Sequence, residues 1–219
     1  MKRLARFLAC AAMAFAISCS SVLGGICWAS EDGAYGRLGG DLEFRLSAGA
    51  ALITNTPVFA ARTDALYLCT AGIYAAYTDA FRDSPSFDRR SIAAGIRLAP
   101  LFLGRFALNR EQGPARLDLL LDSIALDVGA FVSQAPAPEA SFRKTPGLEL
   151  GLGVSLPFFE DASALFLDLR AALRWNADQL SAQARAQNDQ SVAAMFSLTL
   201  SWHQILAVHL VDANDAHPR

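Results

Sequence analysis

The chain has 219 residues, 53% of them hydrophobic, and 19 basic against 21 acidic side chains give a formal charge of −2. That balance leaves no basic footprint for nucleic acid, and this class of partner is set aside. Mean hydropathy is +0.27, high for a soluble domain, yet beyond residue 30 no uninterrupted apolar run reaches the roughly 20 residues of a spanning helix.

Lys2, Arg3 and Arg6 form a basic start, followed by an apolar run over residues 7 to 17. This is the layout of a secretory signal peptide, expected over residues 1 to 29. Cys27-Trp28-Ala29 offers a cleavage site, so that the mature chain begins near Ser30. An uncleaved anchor is the rival reading, against which Ser18, Ser20, Ser21 and the Gly24-Gly25 pair interrupt the run. Lipid attachment at Cys19 is a further alternative, with Ala16-Ile17-Ser18 in place of a Leu-led lipobox. Removal of this segment takes Cys10, Cys19 and Cys27 with it and leaves Cys69 alone. No intramolecular disulfide or zinc spacing then remains; Cys69 reads as a small packed side chain, and neither metal nor cofactor is expected.

The mature part reads in steps of two, the period of a strand. Over residues 41 to 48, Asp41, Glu43 and Arg45 alternate with Leu42, Phe44 and Leu46. Residues 63 to 78 read as one long run containing Tyr67, Tyr74 and Tyr77, aromatic residues of the kind that line membrane interfaces. Over 91 to 98, Ile92, Ala94, Ile96 and Leu98 oppose Ala93, Gly95 and Arg97; over 126 to 132, Leu126, Val128, Ala130 and Val132 oppose Asp127, Gly129 and Phe131. Leu148 to Leu156 alternate with Glu149, Gly151, Gly153 and Ser155. Leu165, Leu167, Leu169, Ala171 and Leu173 then oppose Phe166, Asp168, Arg170 and Arg174, and Phe196, Leu198, Leu200 and Trp202 oppose Met195, Ser197, Thr199, Ser201 and His203.

One stretch departs from this period. After Gly113-Pro114, the spacing of Leu117, Leu120, Leu121 and Ile124, with Asp118 and Asp122 opposite, predicts a short helix near 115 to 123 at the rim between two strands. The polar breaks at 79 to 90, 134 to 146 and 176 to 190 read as long loops at one end, and those at 55 to 62 and 157 to 163 as short turns. The clear strands are odd in number, and an eighth is sought within 91 to 109, near 33 to 40, or over 205 to 211.

In each strand glycine, alanine and charge share the face opposite the leucines. An apolar chain without spanning helices can satisfy its backbone in lipid only by closing a sheet. A continuous Leu/Val face suits lipid and a small, sparsely charged face suits a narrow lumen. A soluble lipocalin-like barrel, with aliphatics lining a pocket, is compatible with the same alternation. With its signal peptide and strands such as Gly147-Leu148-Glu149-Leu150-Gly151-Leu152-Gly153-Val154, the chain resembles the small outer-membrane β-barrel proteins of Gram-negative bacteria. The resemblance implies an all-β, antiparallel up-and-down transmembrane barrel of eight strands over residues 30 to 211, set in the outer membrane. It also implies contact with outer-membrane lipid and lipopolysaccharide, and handling by the barrel-assembly machinery. Such proteins usually close their last strand on an aromatic residue; here that strand is expected to end near Trp202, with a polar tail over 212 to 219.

Asp41, Glu43, Arg45, Arg97, Glu149, Asp168 and Arg170 are the expected lumen charges, fit to knit an ion-pair network in a narrow barrel or to line a weak pore in a wider one. Ser201 and His203, two apart on a strand, point the same way. Outer-membrane lipid A deacylases carry a His-x-Ser pair on a late strand, but here the order is Ser-x-His with no acidic partner nearby in sequence. Hydrogen-bonded lumen residues are therefore the expected role of the pair. The functional classes open at this point are a structural or surface-binding barrel, a small pore or transporter, a lipid-modifying hydrolase, and a soluble secreted binder.

Overall fold

A computed structural model describes residues 35–54, 56–81, 89–108, 110, 113–134, 141–176 and 192–208. The expected signal peptide, the Cys19 alternative, the tail over 212 to 219 and much of the three long loops lie outside these residues. Eight antiparallel strands close into one barrel in sequence order. They are β1 (Leu42–Ile53), β2 (Thr56–Tyr67), β3 (Ala71–Asp79), β4 (Arg90–Leu98), β5 (Ala125–Gln134), β6 (Gly147–Pro157), β7 (Leu165–Trp175) and β8 (Ala193–Leu206). Two short helices, α1 (Leu101–Ala107) and α2 (Ala115–Asp122), lie between β4 and β5, and a 3-10 turn (Arg37–Gly39) precedes β1.

Closure fixes the geometry. The register partners run from Glu43 through Leu66, Gly72, Arg97, Asp127, Gly151, Ala172 and Met195, and return to β1 at Ile53, ten residues along from the start. For eight strands spaced about 4.8 Å apart, this stagger corresponds to a tilt of about 40° and a backbone radius of about 8 Å. Such a tube is filled by its own side chains.

The barrel is inverted relative to a water-soluble one. Its outer wall carries Ile73, Ile96, Leu126, Leu152, Phe196 and Leu198, each at least half exposed. Its inner wall carries Glu43, Arg45, Asp64, Arg97, Asp127 and Glu149, each no more than 5% exposed. The lipocalin-like alternative, with aliphatics inward, is not the arrangement found.

The missing strand lies in none of the three places considered. The apparent run over 63 to 78 is the end of β2 and most of β3, divided by a turn at Leu68-Cys69-Thr70. Leu68 (φ 48°) and Cys69 (φ 54°) both take left-handed backbone there, a conformation that apolar residues rarely signal. The supposed break at 55 to 62 is mostly β2, and the connection from β1 to β2, whose described residue is Thr54, lies at the same end as the three long breaks. The stretch after β4 is α1 rather than a strand, and among the described residues of the segment near 33 to 40 the one element is the 3-10 turn. β8 continues past Trp202 to Leu206. The expected helix near 115 to 123 is α2, with Pro114 as its N-cap residue rather than inside the first turn.

Tyr74 is not an interfacial residue but a lumen one, 3% exposed. Its ring lies against β4 and β5 where a side chain on either would collide with it: a Cβ on Gly129 would stand 2.4 Å from the Tyr74 hydroxyl and one on Gly95 would stand 2.9 Å from Cε1. Gly129→Ala is therefore expected to destabilise the barrel by about 1–3 kcal/mol through overpacking. Gly39→Ala, where a Cβ meets nothing within 4 Å, should stay within about 0.5 kcal/mol of wild type. Urea midpoints of the two variants in detergent check the contrast.

Candidate functional site

The interior is one charged lattice to which every strand contributes. On one side, Arg62 from β2 gives Nη2 to Asp64 (2.5 Å) and Nη1 to Asp127 on β5 (2.7 Å). Arg170 on β7 gives Nε to the same Asp127 (2.6 Å) and Nη2 to Glu149 on β6 (2.6 Å). Glu149 also accepts from Arg174 Nε (2.5 Å) and from the Tyr74 hydroxyl of β3 (2.9 Å). Arg174 Nη1 then reaches Ser91 Oγ on β4 (2.9 Å), which is 2.6 Å from Thr78 Oγ1.

A second cluster lies toward the helix-capped end. Arg45 grips Glu43 with both arms of its guanidinium, Nε to Oε1 at 2.6 Å and Nη2 to Oε2 at 2.8 Å. His203 on β8 places Nδ1 3.3 Å from Glu43 Oε1 and Nε2 3.8 Å from Asp168 Oδ1 on β7, and stacks on Phe166 with ring centroids 4.0 Å apart. Arg97 on β4 adds to the first cluster, with Nη1 3.6 Å from Asp64 and 3.9 Å from Asp127. Five carboxylates (Glu43, Asp64, Asp127, Glu149, Asp168) thus face five guanidiniums (Arg45, Arg62, Arg97, Arg170, Arg174) across the lumen. The cations are all arginine, whose planar fork can serve two carboxylates at once.

Of the residues singled out from sequence, Glu43, Arg45, Arg97, Glu149, Asp168 and Arg170 point into this lattice. Asp41 stands one residue ahead of β1, half-buried at the rim, where its backbone bonds to Val208 and Leu68. Sequence reasoning left out Arg62, Asp64, Tyr74, Asp127 and Arg174. Asp127 and Arg174 had been placed on the small, charged faces of their strands, so the signal was present; Arg62 and Asp64 were hidden by the misreading of β2.

Ser201 and His203 share the inner face of β8, as their spacing implied. The acidic neighbours absent from the local sequence come from β1 and β7, through Glu43 and Asp168. Ser201 Oγ has no hydrogen-bond partner among the described residues, His203 included, and Ser201 is wholly buried between its neighbours Ser47 and Phe166. A nucleophile needs a bonded base and room for substrate; this serine has neither. Among the described residues no group of three or more His, Cys, Asp and Glu gathers to hold a metal.

The end below His203 is closed by a cap. Phe102 of α1, Leu119 of α2, Cys69, Ala162 and Ile205 form a small apolar cluster. Around it Arg37 donates to Asp122 (2.6 Å), Arg105 bonds both Asp118 and Asp122, and the Tyr35 hydroxyl donates to Asp118 (2.9 Å). Only a water-sized cavity of about 30 Å³ separates the cap from Glu43, Arg45 and His203. Burial pushes the Cys69 thiol well above its usual range. Burial also opposes ionisation of Asp118, but the Arg105 and Tyr35 hydrogen bonds outweigh it and hold the carboxyl below 3.8.

The fold and this interior together define the class: a closed eight-stranded antiparallel barrel with a charge-filled lumen, capped at one end by helices. No protein-family model matches the chain, and no curated protein matches it.

Asp127→Ala leaves Arg62 with Asp64 alone and Arg170 with Glu149 alone, puts one uncompensated cation in the lumen and is expected to cost about 3–5 kcal/mol, read as a lowered denaturation midpoint. Ser201→Ala, which removes an unpartnered hydroxyl, should change the midpoint by less than about 1 kcal/mol. The cap should respond to acid: since the folded Asp118 carboxyl is held below its usual value, its contribution is complete above pH 3.8 and is lost as pH falls through the lower folded value. In a chain with Cys10, Cys19 and Cys27 changed to serine, the reaction of Cys69 with dithiodipyridine, taken at each pH relative to a free low-molecular-weight thiol, should be slow near neutrality and should rise as pH falls below 3.8.

Proposed function

We propose that this chain is an integral outer-membrane barrel with a sealed lumen, whose role is structural or lies in binding at the cell surface through the loops opposite the cap. The observation that carries this reading is the inversion of the wall, leucines outward and paired charges inward. In water such a surface would be a severe aggregation hazard, whereas in lipid it is the required arrangement. Dimensions support it as well. An eleven-residue strand such as β6, tilted about 40°, rises roughly 27 Å, close to the ~25 Å apolar band of membrane barrels.

The export signal expected at the N-terminus directs the chain to the compartment from which outer-membrane barrels insert. In that setting the capped end, which carries residues 35–41 as well as the end of β8, faces the periplasm, and the three long loops face outward. The lumen is filled by mutually compensating charges and closed below by α1 and α2, which argues against a pore. The burial of Ser201 argues against hydrolysis.

Expressed as the full chain in a Gram-negative host, the protein is expected in the outer-membrane fraction. There it should migrate on a detergent gel as a compact band that shifts on boiling. A soluble periplasmic product with no shift would sink the reading. Reconstituted in a planar bilayer, it should give no stepwise conductance.

A further inference from the structure

The wall of the barrel is incomplete at the capped end, and a helix stands in the gap. β5 begins at Ala125, whose partner is Gly153, while β6 runs on to Pro157 bonded only to β7. The free edge of β6 is met by the end of α2. Ser123 Oγ accepts a bond from the Ser155 amide (2.8 Å) and lies 3.0 Å from the Ser155 carbonyl, a side chain serving where a strand would have been.

α2 also repeats the inversion of the strands. Its inward face buries Asp118, Leu119 and Asp122, and its outward face exposes Leu117 (48%) and Leu121 (37%). A helix facing water would be turned the other way, with the aspartates outside. The neighbouring surface has the same character. α1 buries only Phe102 and exposes Leu103 and Phe106, and Phe158 and Phe159 in the β6–β7 turn are exposed too. Leu126 on β5 and Leu152 on β6 are exposed on the outer wall as well, and the exposed Arg116 and Glu160, 3.9 Å apart, join α2 to the β6–β7 turn with charges long enough to reach a headgroup layer.

We propose that the α1–α2 segment is a membrane-contact element, a helical section of barrel wall whose outer face sits at the acyl–headgroup boundary of the leaflet on the capped side. Its ligand is a phospholipid surface. The inference rests on the outer-membrane reading and adds to it a second kind of lipid contact, made by interfacial helices rather than by strands. The inward aspartates, held by Arg37, Arg105 and Tyr35, fix the rotation of α2 so that its leucines face the lipid.

Tryptophan quenching tests it. The full chain, folded into phosphatidylcholine vesicles with brominated acyl chains, is compared as wild type, Phe106→Trp on α1, Leu121→Trp on α2 and Leu152→Trp on the barrel band. The native Trp28, Trp175 and Trp202 set the background. Both helix variants are expected to be quenched to within about twofold of Leu152→Trp, and both positions are already exposed, so folding is preserved and is checked by the heat shift. Quenching of Leu152→Trp alone, with the helix tryptophans open to aqueous acrylamide instead, would overturn the inference and leave the membrane barrel standing. That outcome would assign the face to water or to a protein partner. Absence of quenching at all three positions would overturn both.

Discussion

Five carboxylates and five guanidiniums share a tube about 16 Å across, and each must find a partner inside it. An unpaired charge in such a space carries a desolvation cost of several kcal/mol. The pairing shapes the rest of the wall. Guanidiniums and carboxylates of this length cross the lumen only if the facing positions are small, and so Gly95, Gly129, Gly151 and Gly153 occupy the inner faces of β4, β5 and β6. A Cβ at Gly151 would stand 2.7 Å from Arg170 Nη2. With much of the inner wall given over to glycine and charge, most of the large aliphatics stand outside, and Leu66 and Met195 are among the few that face inward.

Much of this was legible in the sequence because it obeys a period of two. β1 and β4 to β8 show Leu, Ile or Val against Gly, Ser or charge, and the face assignment followed directly. β2 escaped because Thr56-Pro57 reads as a turn and its outer positions, Ala61, Thr63 and Ala65, offer no contrast with the inner ones. The turn after it escaped because Leu68 and Cys69 adopt left-handed backbone without the Gly or Asn that usually announces it. α1 carries Leu-Phe-Leu-Gly-Arg-Phe-Ala, too short and too uniformly apolar to separate helix from strand. The partners of His203 were invisible for a different reason, since Asp168 meets it through the pairing of β7 with β8 and Glu43 only through closure of the sheet.

The two ends of the barrel are unlike, and this asymmetry bears on function more than the lumen does. One end is tied down by Tyr35, Arg37, α1, α2 and the Cys69 turn around an apolar cluster. The other carries the long polar connections after β3, β5 and β7, rich in proline at 136, 138 and 146 and in Gln, Asn and Ala over 176 to 190. A tube filled by paired carboxylates and guanidiniums transmits little from end to end, so the surface binding proposed above falls to those connections.

The lattice inside also bears on how the chain is made. Arg45 on β1 holds Glu43, which meets His203 on β8; His203 in turn approaches Asp168 on β7. The first and last strands therefore share one cluster, and it is complete only when the sheet shuts. Any hairpin formed earlier leaves its charged face open to water, with pairs such as Arg62–Asp127 and Glu43–His203 still unmade. Closure completes these pairs together, which makes barrel formation a concerted step; in the membrane setting proposed above, an unfinished sheet would have reason to stay out of the bilayer until its ends meet.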